Sequence, residues 1–153
     1  MTQIAIYGFG IFIAVLGIAL FMGMDMGSSL VSSTIGSLGY IIYCILLIEG
    51  KTAYIALFIS SFLVTIISHV FARSFKQPTT IYTILGNFPL VPGATIYDSV
   101  LKVLAGEDAE ARLLVSQGIG MAIGISLGIV AADTLAIIYK EIHRRIEKNK
   151  EGL

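Results

Sequence analysis

PTTIYTILGNFPLVPGATIYDSVLKVLAG, residues 78–106, has the apolar length of a membrane span and also the residues that forbid one continuous helix. No Asp, Glu, Lys or Arg occurs from residue 77 to 97, a window of 21. Its centre reads Gly86, Asn87, Phe88, Pro89, Leu90, Val91, Pro92, Gly93. A proline inside a helix removes a hydrogen bond and clashes with the preceding turn. The residue before it is pushed out of helical angles. Two prolines three apart, between two glycines, predict a helix broken over residues 87–93. Unwound backbone at membrane depth is tolerated only where protein or a water-filled cavity surrounds it. A plain proline kink with no ligand is the competing reading.

Outward from this segment, other charge-free windows cover residues 1–24, 26–48, 52–72 and 113–132, of 24, 23, 21 and 20 residues. A spanning helix needs about 20 apolar residues. The expected fold is therefore all-α: a polytopic membrane protein with five transmembrane helices and a broken fourth helix. The expected helices are 4–23, 28–48, 52–73, 78–105 broken at 87–93, and 111–139. They form one transmembrane domain, 1–139, with a cytoplasmic tail, 140–153. Ile142 and Ile146 suggest that the last helix runs on into water. The first window has no basic start and no small-residue exit, so it reads as a permanent helix and not as a cleaved signal.

Basic residues gather on the inner side of membrane proteins. Five spans with a cytoplasmic C-terminus put Arg73, Lys76, Lys140, Arg144, Arg145, Lys148 and Lys150 inside, seven in all, and Lys51, Lys102 and Arg112, three, outside. A re-entrant fourth segment gives six against four. The five-span count favours an outside N-terminus and the inner (plasma) membrane.

Composition excludes other classes. Apolar residues make up 56% and charged residues 13%, against about 25% charged in soluble domains; mean hydropathy is +0.90. A soluble enzyme surface cannot be covered with so few polar groups. Zero net charge offers nothing to nucleic acid. One cysteine, Cys44, and two histidines cannot build a usual zinc site. Gly118 and Gly120 make no dinucleotide fingerprint, because no strand precedes them. No nucleophile–base pair and no phosphate loop appears, so neither an enzyme nor a cofactor is expected.

Small residues recur every fourth position in the last window: Ser116, Gly120, Gly124, Gly128, Ala132 and Ala136. Such ladders let helix backbones approach closely. Helix three has Ala56, Ser60, Ser68 and Ala72. Helix two has Ser28, Ser32 and Gly36 beside Ser29, Ser33 and Ser37. These faces read as packing surfaces; the competing reading is that one of them lines a path or slides.

Among ionisable groups, Asp133 lies seven residues before Lys140, about 10 Å inside the charged end of its helix. It is a candidate site, or else a carboxylate near the interface bonded to Thr134 or to a neighbouring helix. Asp98 is either an i, i+4 ion pair with Lys102 or a proton or amine site beside the break. His69, four before Arg73, reads as interfacial, and Asp25 as a turn residue. The substrate-path candidates are Asn87, Pro89, Pro92, Gly93, Tyr97, Asp98 and Asp133. A half-helix starting near Gly93 would offer free N–H groups to a substrate carboxylate.

The run NFPLVPGATIYDSVLKVLAG, residues 87–106, resembles the P-L-V-P-G-x-x-x-Y signature of the threonine/serine exporter family, and more narrowly its five-helix small subunit. Ala72-Arg73 and Lys76-x-Pro78 are similar to that family's basic linker. Gly36-x-x-Gly39-Tyr40 is similar to its small-residue stretch in helix two. The likeness covers nearly the whole chain, with residues 89–97 the specific part. Asp25 departs from the basic residue common in the family's first connection. The resemblance implies export of threonine and serine, or of a dicarboxylate in some members. It also implies a larger partner subunit.

Three functions compete: a secondary exporter subunit, a scaffold or assembly subunit with no path of its own, and a membrane enzyme. The last lacks a catalytic pair. A scaffold has no need of unwound backbone at depth, which favours the exporter. Partners expected are the lipid bilayer, a small-molecule substrate, and a larger exporter subunit or a further copy of this chain. The ladders would be the interfaces.

Overall fold

The computed structural model describes residues 2–151, with side chains at residues 4, 6–142, 144 and 145. The helices are α1 (Thr2–Phe21), α2 (Met26–Ile48), α3 (Ala53–Phe75), α4 (Thr79–Asn87), α5 (Gly93–Leu104) and α6 (Asp108–Glu151), with a 3-10 turn at Phe88–Leu90 between α4 and α5. Among the described residues no strand occurs.

Turn chemistry sets the helix limits. The Asp25 carboxylate accepts from the Ser28 N–H at 2.9 Å and caps α2. That bond holds its carboxyl below the usual carboxylate range. α3 closes through Lys76 in the left-handed region, φ 53°. The Gln77 N–H reaches back to the Ala72 carbonyl at 3.1 Å, a helix-closing bond, and Pro78 follows. Gly106, φ 79°, supplies the left-handed turn from α5 into α6.

α3 is the central post. It packs against α2, α4 and, most extensively, α6; α1 lies on α2, and α5 on α6. Ile35, Leu57, Val64, Tyr82, Leu90 and Ile125 form the main core. Val15, Ala19 and Leu85 form a smaller one under α1. Phe9, Ile13, Ile123, Val130 and Ile137 point outward and stay exposed. An apolar outer surface this extensive is what lipid or another protein covers.

Three helices are long and apolar enough to cross a bilayer by length and composition: Met26–Ile48, Ala53–Phe75 and the Asp108–Ile142 part of α6. α1 contributes the shorter apolar stretch Ile6–Phe21. The fourth segment consists of 9 and 12 residues, about 14 and 18 Å, and neither half alone reaches across a core of about 30 Å. The 44 residues of α6 run to about 66 Å, so its ends extend beyond any bilayer core. The tail continues this helix past Lys140, with Glu141 pairing to Arg144 at 2.6 Å and to Arg145 at 3.1 Å. The side chains of Ile146, Lys148 and Lys150 lie outside the described residues.

The break is narrower than residues 87–93. Asn87 is the last residue of α4 and Gly93 the first of α5. Pro89 fits inside the 3-10 turn, which needs no N–H at that point. Val91, φ −62° and ψ 130°, is extended, as a residue before proline prefers.

Candidate functional site

The interrupted segment is held by close backbone contact. A Cβ at Gly36 of α2 would meet the Leu85 carbonyl oxygen at 3.4 Å, the Pro89 ring at 3.4 Å and the Gly86 oxygen at 3.5 Å. A Cβ at Gly86 would lie 2.8 Å from a Val64 methyl and 3.0 Å from Ile35, and one at Gly39 would overlap Val64. Glycine at 36, 39 and 86 therefore brings α2, α3 and the end of α4 together where the helix stops.

Polar groups gather along this seam. The Tyr82 hydroxyl donates to Ser28 Oγ at 2.9 Å, fully buried. The Asn87 amide donates to the Thr83 carbonyl at 2.9 Å and to Thr65 Oγ1 at 3.4 Å. The Asn87 Oδ1 atom, Ser32 Oγ and Ser60 Oγ are buried with no hydrogen-bond partner among the described residues. Ser32 lies one turn before Gly36. Ser60 lies one turn before Val64, whose methyls meet Gly39 and Gly86. Interhelical hydrogen bonds within membranes are worth about 0.6 kcal/mol on average. Such bonds orient this seam, and apolar packing holds it.

The other candidates lie elsewhere. Pro89 and Pro92 are half-buried and Gly93 exposed. Tyr97 and Asp98 are exposed on α5, and Asp98 lines a cavity with Lys102 of α5 and with Glu110 and Leu113 of α6. The expected Asp98–Lys102 pair does not form. Lys102 pairs instead with Glu107 and with Glu110, the latter at 2.7 Å. The turn at Gly106 carries those two carboxylates back over the end of α5.

Asp133 does meet a partner on a neighbouring helix, and it is His69: Nε2 to Oδ1, 2.7 Å. His69, expected at the interface, thereby links α3 to α6. Thr134 is occupied with its own backbone, donating to the Val130 carbonyl at 2.7 Å. Two cavities flank the pair. One of about 390 Å³ is lined by His69, Asp133, Thr79, Thr80, Thr83 and Ile129 among others. The second, of about 400 Å³, includes His69, Arg73, Ala132 and Tyr139.

The ladder of α6 is occupied within the chain. A Cβ on Gly124 would lie 2.8 Å from the Tyr54 carbonyl oxygen, and one on Gly128 2.6 Å from that of Phe58. Gly120 faces the Tyr54 ring. Ala132 is fully buried, whereas Ser116 is exposed. The Ser61 hydroxyl donates to the Ile125 carbonyl at 3.0 Å across the same seam. Among the described residues no group of three potential metal ligands occurs.

Compared with known proteins, residues 7–135 match a family model described as Threonine/Serine exporter, ThrE. No curated protein and no solved structure matches.

Proposed function

This chain belongs to the threonine/serine exporter family, and from that premise we propose that it is the small subunit of a secondary exporter of threonine and serine. The family is one of membrane transporters. The observation that carries the reading is the helix interruption, packed between α2 and α3, with the buried Asn87 Oδ1 left without a partner beside it. A buried polar atom without a partner costs stability, and a seam kept for packing alone would be built from apolar groups. Such a seam can exchange bonds with a polar solute.

In this reading the route runs along Ser32, Ser60, Thr65 and Asn87. Pro89, Pro92 and Gly93 keep the backbone open, and the first N–H groups of α5 receive a substrate carboxylate. Asp98 lies near those N–H groups and meets the ammonium there; Asp133, twelve residues along α6 from the Met121 that Thr95 touches, meets it at a different point of the route. Tyr97 and Asp98 are exposed on α5, and a charge that faces lipid there is costly. A larger partner subunit covering Tyr97 and Asp98 resolves that cost. The seven-to-three basic asymmetry supports a cytoplasmic C-terminus, the inner (plasma) membrane and five crossings, the fourth made by α4 and α5 in series.

The test is flux of serine and threonine in liposomes, with the chain purified alone and with the product of its neighbouring gene. Flux requiring this chain supports the reading. Undiminished flux from the partner alone makes this chain a scaffold.

A further inference from the structure

Resting on the reading of the chain as a transporter subunit, we propose that His69 and Asp133 form the site where a proton and the substrate ammonium exchange. The pair joins α3 to α6 about 9–10 Å inside the ends marked by Phe75 and Lys140. An ionisable pair at that depth is costly to insert and marks functional positions in membrane proteins.

The charge balance gives the coupling. With one proton on the Nε2–Oδ1 line the pair is neutral overall, whether the proton sits on imidazole or on carboxylate. Without it the pair carries one negative charge. A substrate ammonium arriving at Asp133 neutralises that charge as the proton does. The pair is partly exposed, 22% at His69 and 47% at Asp133; where that surface faces lipid a bare negative pair is the expensive state, so one cation is released only as the other binds. The proton leaves from Asp133 Oδ1 or His69 Nε2 to water, and no other bond changes.

The surroundings fit this exchange. Asp133 faces the cavity of about 390 Å³, roomy enough for a small amino acid. α4 lines it with Thr79, Thr80 and Thr83, hydroxyls suited to a hydroxy amino acid, and no titratable group. On the far side of His69, α3 supplies Arg73 and α6 supplies Tyr139 to the second cavity. Arg73, one turn beyond His69, lowers the cost of the negative state. Both cavities lie at the end of the bundle where α3 closes and α4 begins.

The experiment uses the exporter assembly in liposomes and two readouts. The first is labelling of Asp133 by a carbodiimide, which attacks protonated carboxyls in apolar settings. The second compares serine flux driven by a pH gradient with serine exchange at equal pH. Asp133 should label in the wild type, and serine or threonine should slow that labelling. Asp133→Asn should lower gradient-driven flux and exchange at equal pH together, about ten- to a hundredfold, the scale of losing a hydrogen bond to a charged group, and His69→Gln should change the pH dependence of flux. Asp133→Glu should keep the response to the gradient. An unlabelled Asp133 overturns the proposal, and so does an Asp133→Asn variant that follows the gradient like the wild type. Loss of flux and exchange together with labelling that serine and threonine leave unchanged also overturns it, leaving the pair as a fastening of α3 to α6. If the wild type moves neither amino acid, the transport reading fails on its own. Labelling then decides the pair: substrate-sensitive labelling keeps it, and its absence removes it.

Discussion

Ser60 and Ser61 are neighbours in sequence and both fully buried, yet they sit in different surroundings. Ser61 faces α6 and donates to the Ile125 carbonyl across a seam where glycines bring backbone within contact of backbone. Ser60 lies on the stripe that faces α2 and the end of α4, and its hydroxyl has no partner. One face of α3 is closed by backbone contact and satisfied bonds; the other keeps hydrogen-bonding capacity in reserve. Small residues thus serve two ends on one helix: they fix α3 to α6, and on the adjoining stripe they leave hydrogen-bonding groups unpaired where a helix stops.

The largest effect that would break this contrast is at the closed seam. Gly128→Leu and Gly124→Leu place side chains into the Phe58 and Tyr54 carbonyls, and overpacking of this kind costs about 1–3 kcal/mol or more. Thermal unfolding in detergent should fall sharply for both and remain unchanged for Ile123→Leu, whose side chain is exposed. Equal melting of all three would erase the distinction. Next comes the interruption. Replacing Pro92 and Gly93 by alanine favours a continuous helix, so flux should be lost while insertion into the membrane persists; normal flux would reduce the segment to a kink. A smaller effect is expected of Asn87→Ala. It removes two bonds, at 2.9 and 3.4 Å, and should cost about 1 kcal/mol of stability while impairing flux by more than that loss explains. The smallest is Ser32→Ala. No bond is lost there, so stability should shift by no more than about 0.5 kcal/mol; a larger fall would reveal a partner and sharpen the map of the open seam.

Much of this was legible in the sequence, for identifiable reasons. Pro89 and Pro92 announced the break, because proline chemistry is local. Its limits were overdrawn: Asn87 retains helical angles before the turn, and Gly93 can open a helix without a clash. The four-residue spacing from Gly120 to Ala132 announced a packing face but not its occupant, since periodicity names a face and leaves the neighbour open. Tyr54 and Phe58 of the same chain fill it, so that stripe is not free for a partner subunit or a further copy. Asp98 and Lys102 have the spacing of a pair, yet the turn at Gly106 brings Glu107 and Glu110 closer to the lysine. His69 and Asp133 stand 64 residues apart, and no local rule connects them. Their shared signal is a basic residue of the same helix farther along the chain, Arg73 after His69 and Lys140 after Asp133.

The most direct measurement of the open seam uses the two serines. In a Cys44→Ser background, Ser60→Cys and Ser61→Cys are exposed in liposomes to a small methanethiosulfonate reagent, with and without threonine. The account predicts that the cysteine at 60 is modified and that threonine slows its modification, while the cysteine at 61 stays inert. Modification at 61 equal to that at 60, or none at 60 under any condition, would contradict a route between α2, α3 and the interrupted helix.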